Sequence, residues 1–411
     1  MVVGPSRAAA KKKIINIKKK INMMRFHLKK VFIAVLAVGM AGGFSSCDNK
    51  NNNGDNPQYD AKMQAVAEQF VNNTVIATYT NLANYSQDLV DALVRLKADK
   101  TDANVAAACQ AFLNAREWWE KSEAFLFGPA SDFGIDPHID SWPLDEDAFR
   151  SLINSPDMLA ALDAEDGDVV AGERLGATLL GFHGIEYILF ENGAAKSAGK
   201  ITSDEMIYAV AVAGDLRNCC FQLEVSWAGD KADAQHVALI EELEFNHTVA
   251  GGDNSYGENM LKAGKAGSTY ASLTQAMMAI VDGGKTIADE VGTSKIGKAY
   301  SGEDEDYIES PYSHKSIIDF TNNIISIYNT YMGGVEGQRD EAKSLYSLMS
   351  QVNSELNQKV VKTIEEAIKT IGQMKAPFVQ NFTDPSAKAA MDACAAVDEV
   401  LSEVYEVLGK L

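Results

Sequence analysis

The chain has 411 residues, with 37 Lys+Arg against 57 Asp+Glu for a formal net charge of −20, 46% hydrophobic residues and 5 cysteines. That length and apolar content exclude a disordered chain and suffice for two domains or one large one. Residues 1–46 hold ten Lys/Arg and no acid, leaving 27 basic against 57 acidic residues in the remainder; a body near −30 excludes nucleic-acid binding, because phosphate backbones select cationic surfaces, and favours cationic partners.

Residues 1–22 are basic and lack the polarity order of a targeting signal, so Met23 or Met24 reads as the true start. From there Arg25, Lys29 and Lys30 precede an apolar run from Val31 to Ala41, followed by Gly42, Gly43, Phe44, Ser45, Ser46 and Cys47. The run is too short for a permanent span of about 20 residues and has the length of a signal-peptide core. Small residues before a cysteine resemble a bacterial lipobox, with Phe44 in place of the commoner aliphatic residue. On this reading residues 23–46 are a lipoprotein signal peptide and Cys47 is the lipidated first residue of a cell-envelope protein held to a membrane by its anchor. The alternative is an ordinary signal peptide with a coincidental cysteine. Residues 47–57 are a polar tether with nothing to bury.

The body reads as all-α. Apolar residues recur at spacings of three and four: Leu82, Tyr85, Leu89, Leu93 and Leu96; Val105, Cys109, Phe112, Ala115 and Trp119; Ile317, Phe320, Ile324, Ile327 and Tyr331; Met391, Cys394, Val397, Leu401, Val404 and Leu408. Stripes of this width suit antiparallel bundles. The spacing predicts a first bundle over 58–230, with helices near 58–98, 102–126, 168–192 and 203–227. A second bundle over 231–411 has helices near 232–249, 265–290, 313–332, 338–373 and 385–410. Thr202-Ser203-Asp204-Glu205 is a capping box, and Asp384-Pro385 supplies an N-cap followed by proline at the first helical position. The segments 129–143 and 292–312 resist helix assignment; loops this long in a helical protein are usually functional or disordered. Cys109, Cys219, Cys220 and Cys394 have no C-x-x-C spacing and read as small buried hydrophobes.

The most informative run is Gly181-Phe182-His183-Gly184-Ile185-Glu186. His183 and Glu186, three apart, project from one helix face, and two glycines bracketing the histidine suggest close packing against the backbone. A lone His-x-x-Glu is more often a plain hydrogen bond than a site, and it is not a zincin motif, because Tyr187 follows Glu186 where a histidine would be needed. The order also reverses the Glu-x-x-His of ferritin-like dimetal sites. Arg116, Glu120 and Glu123 lie where a bundle would bury them, and Glu123 needs a cation, a donor or a proton; a salt bridge to Arg116 or Lys121 competes with metal ligation. Ser313, Ser316 and Asp319 make a polar ridge leading to Asn322 and Asn323, which are costly in a helix unless they bond across it. His138, His236 and His247 stand alone and receive no role. No Gly-x-Ser-x-Gly elbow signals a serine hydrolase.

Gly181-x-His183-x-x-Glu186 resembles the G-x-H-x-x-E signature of the imelysin family (peptidase M75). Three further blocks resemble the family's in the same order: Glu123 to Pro129, Asp140-Ser141-Trp142-Pro143, and Glu309-Ser310-x-Tyr312-Ser313 through Asn322-Asn323. The resemblance implies two four-helix-bundle-like halves packed together with a polar cleft between them, faced by the His-x-x-Glu helix. It implies two functional classes. In the first, an iron-regulated lipoprotein of iron uptake, His183, Glu186, Glu123 and an oxygen donor such as Asp140 hold iron or an iron-bearing ligand, because hard ferric iron accepts carboxylates readily. Gly181 positions the helix, while Arg116, Trp142, Ser310, Tyr312, Ser313, Asp319, Asn322 and Asn323 line or orient the cleft, and other iron-uptake envelope proteins are the expected partners. In the second, an insulin-cleaving type of endopeptidase, the metal is zinc and Glu186 or Glu123 is the general base. The residues favour binding, since a zinc peptidase needs three protein ligands, an open water position and a base. A surface adhesin or glycan-binding lipoprotein with a merely structural cleft is a third reading.

Overall fold

A computed structural model describes residues 57–411; the expected start, signal peptide, Cys47 and most of the tether lie outside the described residues. Helix α1 (Pro57–Gln69) passes through a π-helical segment, Phe70–Ile76, into α2 (Ala77–Ala98). The predicted stripe is the buried face of α2, with Leu82, Leu89, Leu93 and Leu96 fully buried. Helix α3 (Asp102–Glu120) starts where the Thr101 side chain accepts from the Asn104 amide at 3.3 Å and buries Val105, Cys109, Phe112, Ala115 and Trp119. It stops at Glu120, because the Ser122 amide and hydroxyl both donate to the Trp119 carbonyl, and a 3₁₀ turn, Glu123–Phe125, follows.

The predicted helix over 168–192 is in fact broken. Gly167–Arg174 is helical, the backbone is extended at Leu175 and Gly176, and after a 3₁₀ turn, Ala177–Leu179, helix α4 runs over Gly181–Leu189. The break is a tertiary effect. Gly181 has φ +70°, and a Cβ there would collide with the Ile139 carbonyl of a crossing segment, so this glycine begins a helix instead of sitting inside one. A two-stranded ribbon, β1 (Phe190–Glu191) with β2 (Ala194–Ala195), leads to α5 (Ser203–Ala228), which carries the expected Thr202/Glu205 capping box.

The second half holds α6 (Leu273–Glu290), running into a π-helical turn, Val291–Lys295; then α7 (Ser316–Met332), α8 (Ser354–Gly372) and α9 (Pro385–Leu408). The predicted helix over 338–373 divides into Leu345–Val352 and α8, because the Asn353 side chain caps the Leu356 amide. The segments 129–143 and 292–312 contain only short helices.

Helix α2 packs between α3 and α5, and α4 lies on α5; in the second set α9 packs on α6 and α8, and α7 lies on α8. Contacts of α7 with α3 join the sets, and one apolar core runs through both. The four cysteines expected to be buried are buried and free. Among the described residues no helix is long and apolar enough to cross a membrane.

Candidate functional site

Where α3, α4 and α7 meet, the core turns polar. Arg116, in the last turn of α3, donates to Asp140 and Glu309, pairs with Glu120 at 2.5 Å, and lies 5.0 Å from the Phe182 ring centroid. Lys295, at the end of the π-helical turn after α6, places Nζ 3.3 Å from Glu309 Oε1, 3.5 Å from Glu123 Oε1 and 3.9 Å from Glu120 Oε2. Glu123 therefore takes its cation from Lys295 and not from Arg116 or Lys121; Lys121 pairs with Glu117 on the surface.

Asp140 is the hub. Its Oδ1 meets Arg116 and lies 3.0 Å from His183 Nε2, and its Oδ2 accepts from Trp119 Nε1 at 2.7 Å. The other imidazole nitrogen, Nδ1, is 3.6 Å from Glu186 Oε2. Glu186 Oε1 accepts the backbone N–H groups of Tyr312 at 3.2 Å and Ser313 at 2.7 Å. Those amides are aimed by a loop in which Ser310 (φ +53°) and His314 (φ +59°) both adopt the left-handed region that non-glycine residues disfavour.

The remaining expected residues are distributed unevenly. Ser310 Oγ donates to Asp319 Oδ2 at 2.5 Å, and Asn323 Nδ2 donates across to Glu120 Oε2 at 2.5 Å. The Trp142 ring lies 5.6 Å from the His183 ring. Tyr312 serves through its amide, while its hydroxyl donates to Glu146 at 3.3 Å away from the cluster. Asn322 is buried, but its side chain bonds none of these carboxylates among the described residues. Gly184 is also closely packed, since a Cβ there would strike the Tyr208 hydroxyl.

Six buried carboxylates (Glu120, Glu123, Asp140, Glu186, Glu309, Asp319) face two fixed cations, Arg116 and Lys295, and one imidazole, all no more than 5% exposed. Even with His183 protonated, three negative charges lack a protein counter-charge, and the protonation equilibria respond. Burial works to lower His183, but the hydrogen bond to Asp140 and the Glu186 carboxylate beside Nδ1 push it up to about 9. Burial works to raise Asp140, yet Arg116 and His183 hold its carboxyl well below the usual range. At Glu120 and Glu123 burial wins over the nearby cations and raises both, and burial pushes Asp319 up to about 7.

Ligand atoms converge here. Asp140, His183 and Glu309 offer three within 4.8 Å of one another, as do Glu120, Glu123 and Asp140. Glu186 joins neither trio but touches His183 from the other side. Sequence reasoning named His183, Glu186, Glu123 and Asp140 as ligands and missed Lys295; nothing in the local pattern separates Lys295 from half-buried Lys298. Glu309 and Glu120 stood inside quoted segments without a ligand role.

Gly181 sets the position of the whole α4 face. Gly181→Ala should cost about 2–4 kcal/mol, combining left-handed strain with overpacking. Chemical denaturation would show a lower midpoint at unchanged slope, whereas a loss under 1 kcal/mol would mean that the segment carrying Ile139 yields easily.

The peptidase M75 (imelysin) family model matches residues 75–404. The chain belongs to the imelysin family. This imelysin is 27% identical over 381 residues to iron-regulated protein A of Synechococcus elongatus, covering 91% of this chain and 92% of the relative. Its fold is similar to the crystal structure of a protein provisionally named iron-regulated protein A precursor from Parabacteroides distasonis (TM-score 0.71, 27% identity, 85% of this chain and 95% of that one). An imelysin-like protein from Psychrobacter arcticum shares the fold at 14% identity, with TM-score 0.58 over 85% of this chain and 96% of that one.

Proposed function

We propose that this imelysin is an envelope protein, lipid-anchored through Cys47, that binds a metal ion, iron, as cargo in the buried cluster, in the service of iron uptake. The observation that carries the reading is geometric: ligand atoms of Asp140, His183 and Glu309 converge within 4.8 Å of one another in a buried cluster where six carboxylates outnumber three cationic groups. Buried charges of one sign are tolerated only when protonated, paired or bound to a metal. The donor set is oxygen-rich with one imidazole, which suits a hard or borderline cation. Three carboxylate oxygens of the cluster, Glu120 Oε1, Glu186 Oε2 and Glu309 Oε2, and the Ser313 hydroxyl are buried without a hydrogen-bond partner among the described residues; Glu120 Oε1 has the Arg116 charge beside it and Glu186 Oε2 lies 3.6 Å from His183 Nδ1, which leaves Glu309 Oε2 as the acceptor best placed for a cation. His183, Asp140 and Glu309 would hold the ion, with Glu186 and Glu123 at its flanks. The names of the relatives, iron-regulated protein A, point to iron among the candidates.

An endopeptidase fits these residues less well. The cluster residues are no more than 5% exposed, so the site presents no open position for water and an extended peptide substrate beside the ligand atoms.

Protein purified without chelators should carry iron by elemental analysis and bind ferric citrate saturably. His183→Ala should weaken binding at least tenfold, the scale on which metal sites lose affinity when their shell is disturbed. Unchanged binding in that variant would remove the assignment, and chelator-sensitive cleavage of an unfolded substrate, abolished by Glu186→Gln, would replace it with the peptidase.

A further inference from the structure

Glu123 belongs to two places at once. One side of its carboxylate meets Lys295 in the buried cluster, and the residue also lines a cleft of about 1160 Å³ between the segment after α3, the loop region 246–270 and α6. That volume is somewhat above the roughly 300–1,000 Å³ of small-molecule sites and far beyond what a single ion fills.

The chemistry of the wall is one-sided. Five carboxylates line the cleft, Glu123, Asp132, Asp136, Asp282 and Glu290, and among the described residues no Lys, Arg or His does. Asp132 accepts from the Tyr256 hydroxyl at 2.6 Å, and Asp282 has Lys285 at 3.7 Å on the surface side. Asp136 and Glu290 have neither a side-chain hydrogen bond nor a cation within 4.0 Å among the described residues. Glu123 is 5% exposed and its carboxylate is turned to Lys295, 3.5 Å from Oε1. Asp136 and Glu290 are thus carboxylates at the cleft wall without a close protein cation of their own, the places where a cationic ligand would be received.

Aromatic rings complete the wall. Phe133 meets Tyr256 edge to face at 5.9 Å, and Tyr270 lines the same space. Carboxylates alone would serve a hydrated inorganic ion; ring faces add attraction for ammonium groups and apolar contact for methylene chains. We propose that this cleft binds an organic polycation, a polyamine with two or more ammonium groups joined by methylenes, its charges on Asp136 and Glu290 and its chain against Tyr256 and Tyr270. The cleft shares one wall residue, Glu123, with the cluster proposed to hold iron, whereas Asp136, Glu290 and Tyr270 line the cleft outside that cluster, so variants at those three read the cleft alone.

The test is calorimetric titration of the purified protein with spermidine at fixed ionic strength. Saturable binding is expected, weakened at least tenfold by the double change Asp136→Asn with Glu290→Gln and several-fold by Tyr270→Leu, with circular dichroism confirming that each variant is folded. A glycol of equal length should not bind. The proposal is overturned if spermidine shows no saturation, if the double variant binds as wild type does, or if magnesium displaces spermidine fully while Tyr270→Leu has no effect, which would mark the cleft as a diffuse counterion reservoir.

Discussion

Arg116→Met should lower the unfolding free energy by about 3–5 kcal/mol at pH 7.5, the cost of removing one partner from a buried ion pair. The guanidinium is 2% exposed and serves three carboxylates, Asp140, Glu309 and Glu120, from three separate parts of the chain. Without it, Lys295 still neighbours Glu309 and Glu120, but Asp140 keeps only the imidazole and the Trp119 indole. The loss should be smaller at pH 5, where the orphaned carboxylates take protons. Arg116→Lys should recover less than half of it, because a single ammonium cannot fork between Asp140 and Glu309 as a guanidinium does. Urea unfolding at the two pH values reads all of this. A loss below 1 kcal/mol at pH 7.5 would mean that water, and not Arg116, solvates these acids.

The partners of Arg116 also mark the limit of what the sequence discloses. The stripe of Leu82, Leu89, Leu93 and Leu96, the capping box at Thr202 and the stripe from Cys394 to Leu408 were legible because each is written in residues three or four apart, within one helix. His183, Glu186 and Glu123 stood out as polar groups among apolar neighbours, and Asn323 stood out as a poor helix former that would need a bond across, which Glu120 supplies. The pairing of Arg116 with Glu309 joins residues 193 apart, and no local pattern encodes it. Lys295 is silent for the same reason. The start of α4 at Gly181 was misread as a helix interior because the obstacle that forbids a side chain there is the backbone of Ile139, brought in by a segment 42 residues earlier.

In the presence of a chelator the protein should become less stable as pH rises from 5 to 9, and Asp319 should be a main cause. Its pKa is raised from 3.8 to about 7 in the fold, so its contribution is fully present below the ordinary value and lost as pH rises through 7. His183, raised from 6.5 to about 9, acts in the next window: full below 6.5, lost through 9. Asp140, held below its ordinary 3.8, has the opposite sign and costs stability only in acid, which places the optimum on the mildly acidic side. At about 1.4 kcal/mol per pK unit, three units at Asp319 bound its share at about 4 kcal/mol. Asp319→Asn keeps an oxygen to accept from Ser310 and cannot ionise, so it should stabilise by about 1–3 kcal/mol at pH 8 and by less than about 0.5 kcal/mol at pH 5. Melting temperatures of both proteins across that range decide the matter, and an unchanged slope in the variant would show that the Asp319 carboxyl already ionises freely in the fold. Ferric iron, if it is the occupant, should act on the same deficit from the other direction: added at pH 8 it should raise the melting temperature by mass action and release protons from His183 and the raised carboxylates. Wild type should then gain more from the metal at pH 8 than at pH 5, because at pH 5 protons already hold the places that the cation must take.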